Sequence, residues 1–560
     1  MTGYIQWQAI IALLGIVLLI TLLAYVAFTF TTVTVPDEGG TYVEGLAGLP
    51  QYINPILCQY NQVDRDLASL VFNGLTDVNE RGEIVPDLAE SYQVSEDGLT
   101  YIFHLRRDVQ WHDGVPFTAD DVVFTIKAMQ DPDYQGIPDL AELWRSVIVE
   151  KIDDYTVKFT LKEPFTPFLD YTTIGILPAH ILKDVPARLL PRNRFSFEPV
   201  GTGPFRVERV GTEQATLSAN PRFYGPTPYL SRLEFKFYPD YESLLSAYER
   251  GEVEGLGRVR PEDLSRIRAD ERLKLLSARL SGYTIVLLNL NNPNTPFFQD
   301  KSVRQALLYA LDRQKIIDSI LNGQGLVAHS PIMSDSWAYD PLIKRYDYAP
   351  DRARALLDEA GWVDVDGDGV REKEGRKLQF TLLTNDEPTR VKMIEEIARQ
   401  WAEVGVKAVP QAAGISGVVR DFLRPRSFDA ILAEWRELPP DPDPYPLWHF
   451  TQAEGEGQNY AGFSHRDADE IMEEARRTTD RSKRIELYRR FQEIFAEEVP
   501  SLVIYHPVYT YAINEMIRNV QISPLIDASD RFRTIAQWYI ATKRLILSGG
   551  QPAGVDKFGD

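Results

Sequence analysis

The N-terminal segment carries no charged side chain from Ile5 to Val35. Within it, Ala9 to Phe30 reads AIIALLGIVLLITLLAYVAFTF and is almost wholly apolar. As an α-helix, these 22 residues would span about 33 Å, which matches the hydrocarbon core of a bilayer. A core helix of a globular domain would show polar breaks over such a length. We therefore expect a single-pass membrane helix. Its orientation is weakly specified, because Asp37 and Glu38 flank its exit and no Lys or Arg marks the cytoplasmic side.

A cleaved signal peptide is the alternative to this anchor. Signal peptides usually have a shorter apolar region that follows Lys or Arg and ends at a small-residue cleavage site. No basic residue precedes this run, and no good A-x-A site ends it. The pattern favours an uncleaved anchor, and only a mature N-terminus decides between the two. No cysteine stands at the end of the run, which excludes a lipoprotein anchor.

Length and charge narrow the classes of protein that fit the rest of the chain. A chain of 560 residues exceeds what one hydrophobic core usually supports, so two or more domains are expected. The formal net charge of −21 argues against non-specific nucleic-acid binding, which needs basic patches. Cys58 is the single cysteine, which excludes an intrachain disulfide and a Cys-based zinc site.

After Gly40 the hydrophobic pattern is that of a mixed α/β protein. Alternating residues predict a strand at 100–109, and further strands are predicted at 157–164, 205–210 and 378–384. The continuous apolar run 283–290 predicts a strand buried on both faces. Helical spacing and capping residues predict helices after Thr118, over 349–361, from Asp300 through Ile317, and over 391–405 with Gly405 as C-cap.

Several sequence blocks resemble family 5 of the extracellular solute-binding proteins of ABC importers, which includes dipeptide, oligopeptide and nickel binders. The blocks occur in the family's order between Gly40 and about Trp538. They are IVPDLAESYQVSEDGLTYIFHLRRDVQWHDGVPFTADDVVFTI (84–126), GTGPFRVERV (201–210), ANPRFYG (219–225), LLNLNNPNTPFFQDKSVRQALLYALDRQKII (287–317), FDAILAEWRELPPDPDPY (428–445) and NYAGFSHRDADEIM (459–472).

The resemblance implies an α/β fold of the periplasmic-binding-protein type, type II and cluster C-like, with two lobes that close on a buried ligand. The chain would pass between the lobes near 283–289 and again near 505–511. The implied division is an N-terminal anchor or uncleaved signal (1–38), lobe I (40–282) with a subdomain at about 60–195, lobe II (283–508), a return to lobe I (509–545) and a disordered tail (546–560).

The function implied by the resemblance is capture of a solute outside the cytoplasmic membrane and delivery to an ABC permease. Peptide is the family's commonest substrate class, and oligosaccharides, nickel chelates and haem are alternatives within the same fold. ATP would be hydrolysed by partner subunits, the receptor would be a monomer, and no cofactor would be required. A ligand-sensing receptor is a further alternative, although the few residues before Ile5 leave no room for a cytoplasmic output domain.

The resemblance also places candidate ligand contacts. In the dipeptide and oligopeptide binders, an Asp three residues after a Trp pairs with the peptide α-ammonium. Here Trp435 matches the tryptophan, but Leu438 stands at the aspartate position. Glu437 is adjacent and would need a local bulge to take over, because neighbouring residues of an extended segment face opposite sides. Further candidate contacts are Tyr52, Asn385, Tyr460 and Tyr505.

The stretch DVDGDGVRE (364–372) resembles the start of a calcium loop. Its first five ligand positions would be Asp364, Asp366, Asp368, the Val370 carbonyl and Glu372. The twelfth position, which needs a bidentate Glu, is Gly375, and a strand follows instead of a helix. The alternatives are a structural calcium ion and a solvated turn in which aspartates cap backbone amides.

Enzyme motifs are absent from the sequence. There is no G-x-S-x-G elbow, no H-E-x-x-H zinc helix and no G-x-x-x-x-G-K-[ST] phosphate loop. The seven histidines are scattered, and acidic pairs such as Asp441 and Asp443 arise by chance among 81 carboxylates. A hydrolase is therefore the weaker hypothesis, and we expect a binding protein.

Overall fold

A computed structural model describes the backbone of residues 2–546, with all side chains except those of 2–6, 8–9, 26–32, 545 and 546. The strands are β1 (Thr32–Pro36), β2 (Thr41–Ala47), β3 (Thr76–Val78), β4 (Ile84–Pro86), β5 (Ala89–Val94), β6 (Thr100–Leu105), β7 (Val147–Asp153), β8 (Thr156–Leu161), β9 (Phe205–Val210), β10 (Gln214–Ala219), β11 (Arg232–Tyr238), β12 (Gly255–Leu256), β13 (Leu273–Arg279), β14 (Gly282–Leu288), β15 (Gly325–Val327), β16 (Glu372–Lys373), β17 (Arg376–Lys377), β18 (Gln379–Asn385), β19 (Lys407–Ala413), β20 (Ala430–Arg436), β21 (Ser501–Asn514) and β22 (Thr542–Ile546).

The helices lie between and beside these strands. They are α1 (Thr2–Thr31), α2 (Gln62–Val71), α3 (Ala119–Gln130), α4 (Pro138–Arg145), α5 (Ala179–Leu182), α6 (Tyr241–Glu249), α7 (Leu264–Arg268), α8 (Lys301–Tyr309), α9 (Arg313–Ile320), α10 (Pro350–Glu359), α11 (Pro388–Ala402), α12 (Ile415–Gly417), α13 (Tyr445–Trp448), α14 (Arg466–Arg477) and α15 (Arg481–Glu498). Short 3-10 and π turns connect several of them.

One sheet runs through both lobes in the order β19-β18-β20-β14-β21-β12-β2-β11-β10-β9. The strands β12, β2, β11, β10 and β9 form the sheet of lobe I, and β19, β18, β20 and β14 form that of lobe II. A separate antiparallel sheet, β5-β6-β8-β7, forms the core of a subdomain attached to lobe I. The predicted two-lobed α/β architecture with an extra subdomain is thus present.

Strand β21 is hydrogen-bonded to both lobes. Its first half pairs with β14 and β15, and its second half, from Val508 to Asn514, pairs with β13. The β13 strand ends at Arg279, and β14 begins at Gly282, whose φ of 137° favours glycine. Both passages between the lobes therefore lie side by side in one sheet, near residues 280–282 and 506–508.

Strand β14, which contains most of the apolar run 283–290, is buried on both of its faces. All seven of its residues are buried. Val286 and Leu288 pack into the lobe II core beside α8 and α11, whereas Ile285 and Leu287 pack into the core on the opposite face, beside α14 and α15. A strand covered on both faces is mostly apolar, as the sequence predicted, and Thr284 is its one buried residue with a short polar side chain.

The predicted helix from Asp300 through Ile317 is two helices. Asp300 caps α8 through the Ser302 N–H, and Asp312 caps α9 through the Lys315 N–H. The second aspartate competes for backbone amides and starts a new helix, which breaks the continuous helix that apolar spacing alone suggested. Two strands are also shorter than predicted, since β6 ends at Leu105 and β8 at Leu161.

The two ends of the described chain meet. Strand β1 follows helix α1 directly and pairs antiparallel with β22. Among the residues that the structure describes, no helix is both long enough and apolar enough to span a membrane. The tail from residue 547, predicted to be disordered, lies outside the described residues, and Ile546 ends β22 rather than belonging to that tail.

A buried ion cluster ties the returning C-terminal segment to lobe I. The Arg531 guanidinium contacts Glu44 Oε1 at 2.7 Å and Asp66 Oδ2 at 2.6 Å, and all three side chains are at most 2% exposed. The Tyr42 and Tyr511 hydroxyls also donate to Glu44. The cluster joins β2, α2, β21 and the turn at 528–532, so its charges are neutralised only when the C-terminal segment has docked.

We predict that Arg531→Met lowers the free energy of unfolding by about 3–5 kcal/mol, because it leaves two buried carboxylates without a cation. Urea unfolding followed by tryptophan fluorescence measures the change. Arg272→Met is the matched control, since Arg272 contacts Asp270 at an exposed site and such pairs contribute about 0–1 kcal/mol. Equal losses in the two variants would contradict a special role for the cluster.

Candidate functional site

A cavity of 230 Å³ lies where the lobes meet the two crossing strands. It receives side chains from the 78–83 loop of the lobe I subdomain, from β13 and β14, from the 331–337 segment, from the 438–448 segment and from the start of α15. Its aromatic and apolar walls are formed by Tyr283, Ile332, Trp337, Leu438, Leu447 and Trp448.

The lobes contact each other around this cavity. Arg65 of α2 in lobe I forms an ion pair with Glu437, which follows strand β20 of lobe II, at 2.5 Å. The Asp441 N–H of lobe II donates to Asp170 Oδ2 of the subdomain at 3.1 Å. The Thr166 hydroxyl reaches the Ala475 carbonyl of α14 at 3.4 Å. The structure therefore shows the two lobes in contact beside the cavity.

Two arginines of lobe II neutralise the acidic stretch DPDPYP. Arg484 contacts both oxygens of Asp441, and Arg476 contacts both oxygens of Asp443 at 2.7–3.0 Å. Bidentate pairs of this kind fix the orientation of both side chains. The acidic pair Asp441 and Asp443, which the sequence left as chance neighbours, thus holds the cavity wall against α14 and α15 and is not available as an acid–base pair.

Asp170 completes this contact from the subdomain side. Its Oδ1 is buried and accepts no hydrogen bond from any described residue. Burial first, and then the neighbouring Asp441, raise the pKa of Asp170 well above its ordinary value; Arg484 opposes this effect, and Asp443 adds to it. The raised pKa favours the neutral acid form of Asp170 up to a higher pH than in an exposed aspartate.

The backbone at Glu437 is distorted, as we expected it would have to be for this side chain to replace the missing aspartate. Its carboxylate, however, is already paired with Arg65. Its φ is 55°, in the left-handed region that bulky residues seldom adopt. The turn is held by hydrogen bonds from the Glu437 N–H to the Ser281 carbonyl and from the Ser281 hydroxyl to the Leu438 carbonyl. Glu437 points to Arg65, and Leu438 lines the cavity.

Trp435 and Tyr460 form a parallel aromatic pair beside the cavity, not within its wall. Their ring centroids are 5.9 Å apart and the ring planes differ by 2°. The indole N–H of Trp435 is buried without a hydrogen-bond partner among the described residues. Tyr460 also borders a second, more open cavity of 510 Å³ near Asn291 and Arg426.

The other three candidate contacts lie around the lobe junction. Tyr505 is buried on β21 opposite Thr284, and burial raises the pKa of its hydroxyl. Asn385 ends β18, and its Oδ1 is buried without a partner among the described residues. Tyr52 is half-buried against the lobe I core. Of the seven predicted contacts, only Leu438 lines the 230 Å³ cavity.

Sequence reasoning missed most residues of the cavity wall. Arg81 comes from the DVNERGE turn, Arg279 from the end of β13, and Trp337, Trp448 and Arg481 from lobe II. Trp448 belongs to the YPLWHF stretch directly after the acidic segment that the sequence analysis singled out. Its position next to that segment was the one feature of the sequence that could have identified Trp448 as a wall residue. The other wall residues are brought together only by contacts between distant parts of the chain.

The aspartate-rich loop lies away from this cavity. One oxygen each of Asp364, Asp366 and Glu372 lies within 4.8 Å of the others. Asp364 also accepts the Gly367 and Gly369 N–H groups at 2.8 and 3.0 Å. Lys377 forms ion pairs with Asp366 and Asp368. These contacts are those of a capped turn with an internal cation, and calcium binding stays a prediction.

The sequence profile of family 5 of the bacterial extracellular solute-binding proteins (its middle part) matches residues 83–457. The chain belongs to this family. Oligopeptide-binding protein AppA of Bacillus subtilis is 32% identical to this family 5 protein over 517 residues, which cover 90% of this chain and 92% of AppA. The dipeptide-binding protein of Escherichia coli is 28% identical over 529 residues, and the match covers 88% of this chain and 94% of the Escherichia coli protein.

Solved structures of family members superpose on the chain. AppA in complex with a nonapeptide gives a TM-score of 0.70 at 30% identity, with 90% of this chain and all of that chain covered. NikZ from Campylobacter jejuni in complex with Ni(L-His) gives a TM-score of 0.72 at 28% identity, with 89% and 99% covered. Similar folds of this family thus hold chemically different ligands.

We predict that Asp170→Asn stabilises the protein at neutral pH. The pKa of Asp170 is raised in the folded form, so the acid stabilises that form at low pH, and this contribution is lost as pH rises towards the raised pKa. An amide keeps the acceptor for the Asp441 N–H and has no charge to bury. The gain should be of the order of 1–3 kcal/mol at pH 7 and small at pH 4.

Chemical unfolding at both pH values measures this difference, with Asp133→Asn as an exposed control. A loss of stability of the same size at pH 4 and pH 7 would show that Asp170 is held as a carboxylate.

Proposed function

We propose that this protein is the solute receptor of an ABC importer and that it captures a peptide or peptide-like solute by closure of its two lobes. The observation that supports this most directly is the 230 Å³ cavity whose wall takes residues from both lobes and from the strands that connect them. A ligand there contacts both lobes, so it stabilises the closed arrangement over the open one. ATP hydrolysis belongs to partner subunits.

Membrane attachment through α1 is part of this proposal. From Ile10 to Tyr25 the apolar side chains of this helix are largely exposed, with Leu18 at 72%. Such a surface favours a lipid environment over water. The adjacent pairing of β1 with β22 ties the helix to the folded receptor. The receptor would then act as a tethered monomer beside its permease, and calcium at 364–372 would be a peripheral stabiliser if bound.

The ligand class follows from the cavity and from the relatives. AppA and the Escherichia coli relative are named for oligopeptides and dipeptides, which favours a peptide-like solute here. A nickel or haem ligand is the alternative, because NikZ and heme-binding protein A of Haemophilus influenzae are also relatives. The cavity lining contains no His or Cys, so a metal would have to enter with its own chelator.

The proposal is tested by thermal unfolding of the full chain in detergent against pools of peptides, oligosaccharides, nickel chelates and haem. A true ligand stabilises the folded form by mass action, by about 2.7 kcal/mol at one hundred times its Kd. We expect the peptide pool to raise Tm. A rise with haem alone or nickel chelate alone would move the receptor to the alternative class, and no rise with any pool would contradict the receptor function.

We also predict weak dependence on a free peptide N-terminus. Leu438 occupies the anchor position, and the Glu437 carboxylate is neutralised by Arg65. Loss of a buried ammonium–carboxylate pair typically costs about 3–5 kcal/mol, whereas N-acetylation should here change Kd by less than about tenfold (about 1.4 kcal/mol). Isothermal titration with matched free and acetylated peptides measures the ratio.

Leu438→Asp is the matched variant, and it should restore a strong preference for the free amine. Abolished binding of the acetylated peptide to the unmodified receptor would reveal an anchor elsewhere, with Glu437 the first residue to replace.

A further inference from the structure

The contact between the subdomain of lobe I and lobe II has one carboxylate more than it has bound cations. Asp170, on a 3-10 turn of the subdomain, meets Asp441 and Asp443 of lobe II. Arg484 contacts both oxygens of Asp441, and Arg476 contacts both oxygens of Asp443. Three carboxylates thus share two guanidinium groups, and each guanidinium is bound to a carboxylate other than Asp170.

The elements packed around Asp170 present mostly uncharged groups to it. From β3, the Thr76 hydroxyl donates to the Leu169 carbonyl at 3.3 Å. The other ionisable groups of these elements are three phenols and three side chains at the surface: Tyr101 of β6, Tyr171 of the same turn, Tyr488 of α15, Asp139 of α4, Arg477 of α14 and Arg481 of α15. Burial raises the pKa of Tyr101 and of Tyr171 to about 12, so these phenols are neutral and cannot balance Asp170.

The Asp170 carboxyl group also has few hydrogen-bond donors. Its Oδ2 accepts the Asp441 N–H at 3.1 Å, whereas its Oδ1 is buried and accepts no hydrogen bond from any described residue. Buried carboxylates are normally paired with a cation and hydrogen-bonded at both oxygens, because an ionised group taken out of water is costly. A proton on Asp170 would remove the excess negative charge of this contact.

The electrostatics of the contact agree with this count of charges. Burial first, and then the charge of Asp441, raise the pKa of Asp170 well above its ordinary value. The whole effect of Asp441 and part of the burial come from lobe II, which lies across the contact from Asp170. When the lobes separate, Asp170 meets water and loses its charged neighbour, so its pKa should fall towards the ordinary value of about 3.9.

We propose that closure of the two lobes takes up a proton at Asp170, so that acidic surroundings favour the closed, solute-holding receptor and a rise in pH favours its opening. This inference rests on the proposed receptor function and adds the proton as its regulator. Asp170 is the site of uptake because Asp441 and Asp443 each hold an arginine of their own lobe. Those two pairs remain formed whether the lobes are together or apart.

The direction of the pH effect follows from the two protonation equilibria. With the lobes in contact Asp170 has the higher pKa, so this form binds the proton more tightly than the separated form. The contribution to closure is complete below the ordinary aspartate pKa and is lost as pH rises through the raised pKa. Because the solute binds between the lobes, its Kd should rise with pH over that interval, by at most about tenfold per pH unit, and level off above it.

The test measures Kd at pH 5 and pH 8 for pools of peptides, oligosaccharides, nickel chelates and haem, with the full chain in detergent. Asp170→Asn keeps the acceptor for the Asp441 N–H and cannot ionise, and Glu163→Gln removes an exposed carboxylate of the same subdomain as the matched control. For each pool that binds, Kd of the unmodified receptor should rise between the two pH values at least about tenfold more than Kd of Asp170→Asn. Glu163→Gln should behave like the unmodified receptor.

This comparison separates failure of the inference from failure of the receptor function. Titration of the probe itself, and of Glu437 at the other contact between the lobes, is common to the receptor and its variant and cancels. Equal pH dependence of the unmodified receptor and Asp170→Asn, for a pool that binds, would overturn the inference and leave the receptor function intact. If no pool binds at either pH, the receptor function fails and the inference fails with it.

Asp170→Ser is a second neutral variant, so the test does not depend on the folding of Asp170→Asn alone. Its shorter side chain gives up the hydrogen bond to the Asp441 N–H, which separates the role of the acceptor from the role of the proton. We expect it to lose the pH dependence of Kd as Asp170→Asn does, even where its binding is weaker at both pH values. Weaker binding with the full pH dependence retained would assign Asp170 a purely structural role and overturn the inference.

Discussion

The hydrogen bonding of one 14-residue strand to both lobes is the constraint on which the rest of the structure depends. Strand β21 pairs with β14 and β15 in lobe II and with β13 and β12 in lobe I. Its backbone groups are satisfied only within the sheets of both lobes. Relative motion of the lobes must therefore be concentrated at the few residues between these pairings, where the cavity lies. The cavity thus lies beside the residues at which the lobes can move relative to each other.

The contacts around the cavity differ in kind from those that hold each lobe. Inside lobe I, the Arg531 cluster neutralises two carboxylates completely and buries all three groups. Between the lobes, the contacts include a partly exposed ion pair of Arg65 with Glu437, a hydrogen bond to Asp170 and one from Thr166. Partly exposed pairs contribute about 0–1 kcal/mol, so these contacts can be broken and remade. The two lobes are thus joined by weaker contacts than those that hold lobe I together.

How much the sequence could predict depends on the range of the interaction. The apolar run at β14, the capping aspartates and the glycine turns act locally, so they located the strands and helices that the sequence predicted. We predicted the two-lobed fold from the order of sequence blocks that resemble the family, and the match of the family profile to residues 83–457 confirms the family. Ligand contacts depend on which distant segments meet. Tyr283 could be assigned to a buried strand, but its hydroxyl meets the Trp448 indole only through the fold, 165 residues later in the chain.

Glu437 and Lys377 show the same limit. The sequence indicated that Glu437 needed a distorted backbone to face inward, and the φ of 55° is such a distortion. No local pattern could show that Arg65, 372 residues earlier, takes its carboxylate. Likewise the spacing of 364–372 suggests a cation site, and the Lys377 ammonium that contacts two of its aspartates comes from the neighbouring strand β17.

The central claim, closure of the lobes about β21 on ligand binding, can be measured as a distance. Cys58 is buried, and burial raises the pKa of its thiol to about 12, so it will not react with labels at neutral pH. Spin labels at Lys162→Cys in the subdomain and Arg477→Cys on α14, both exposed positions, flank the Thr166–Ala475 contact. Double electron–electron resonance should show a longer, broader distance distribution without ligand and a single short distance with it. The same distribution with and without a ligand that raises Tm would contradict the account.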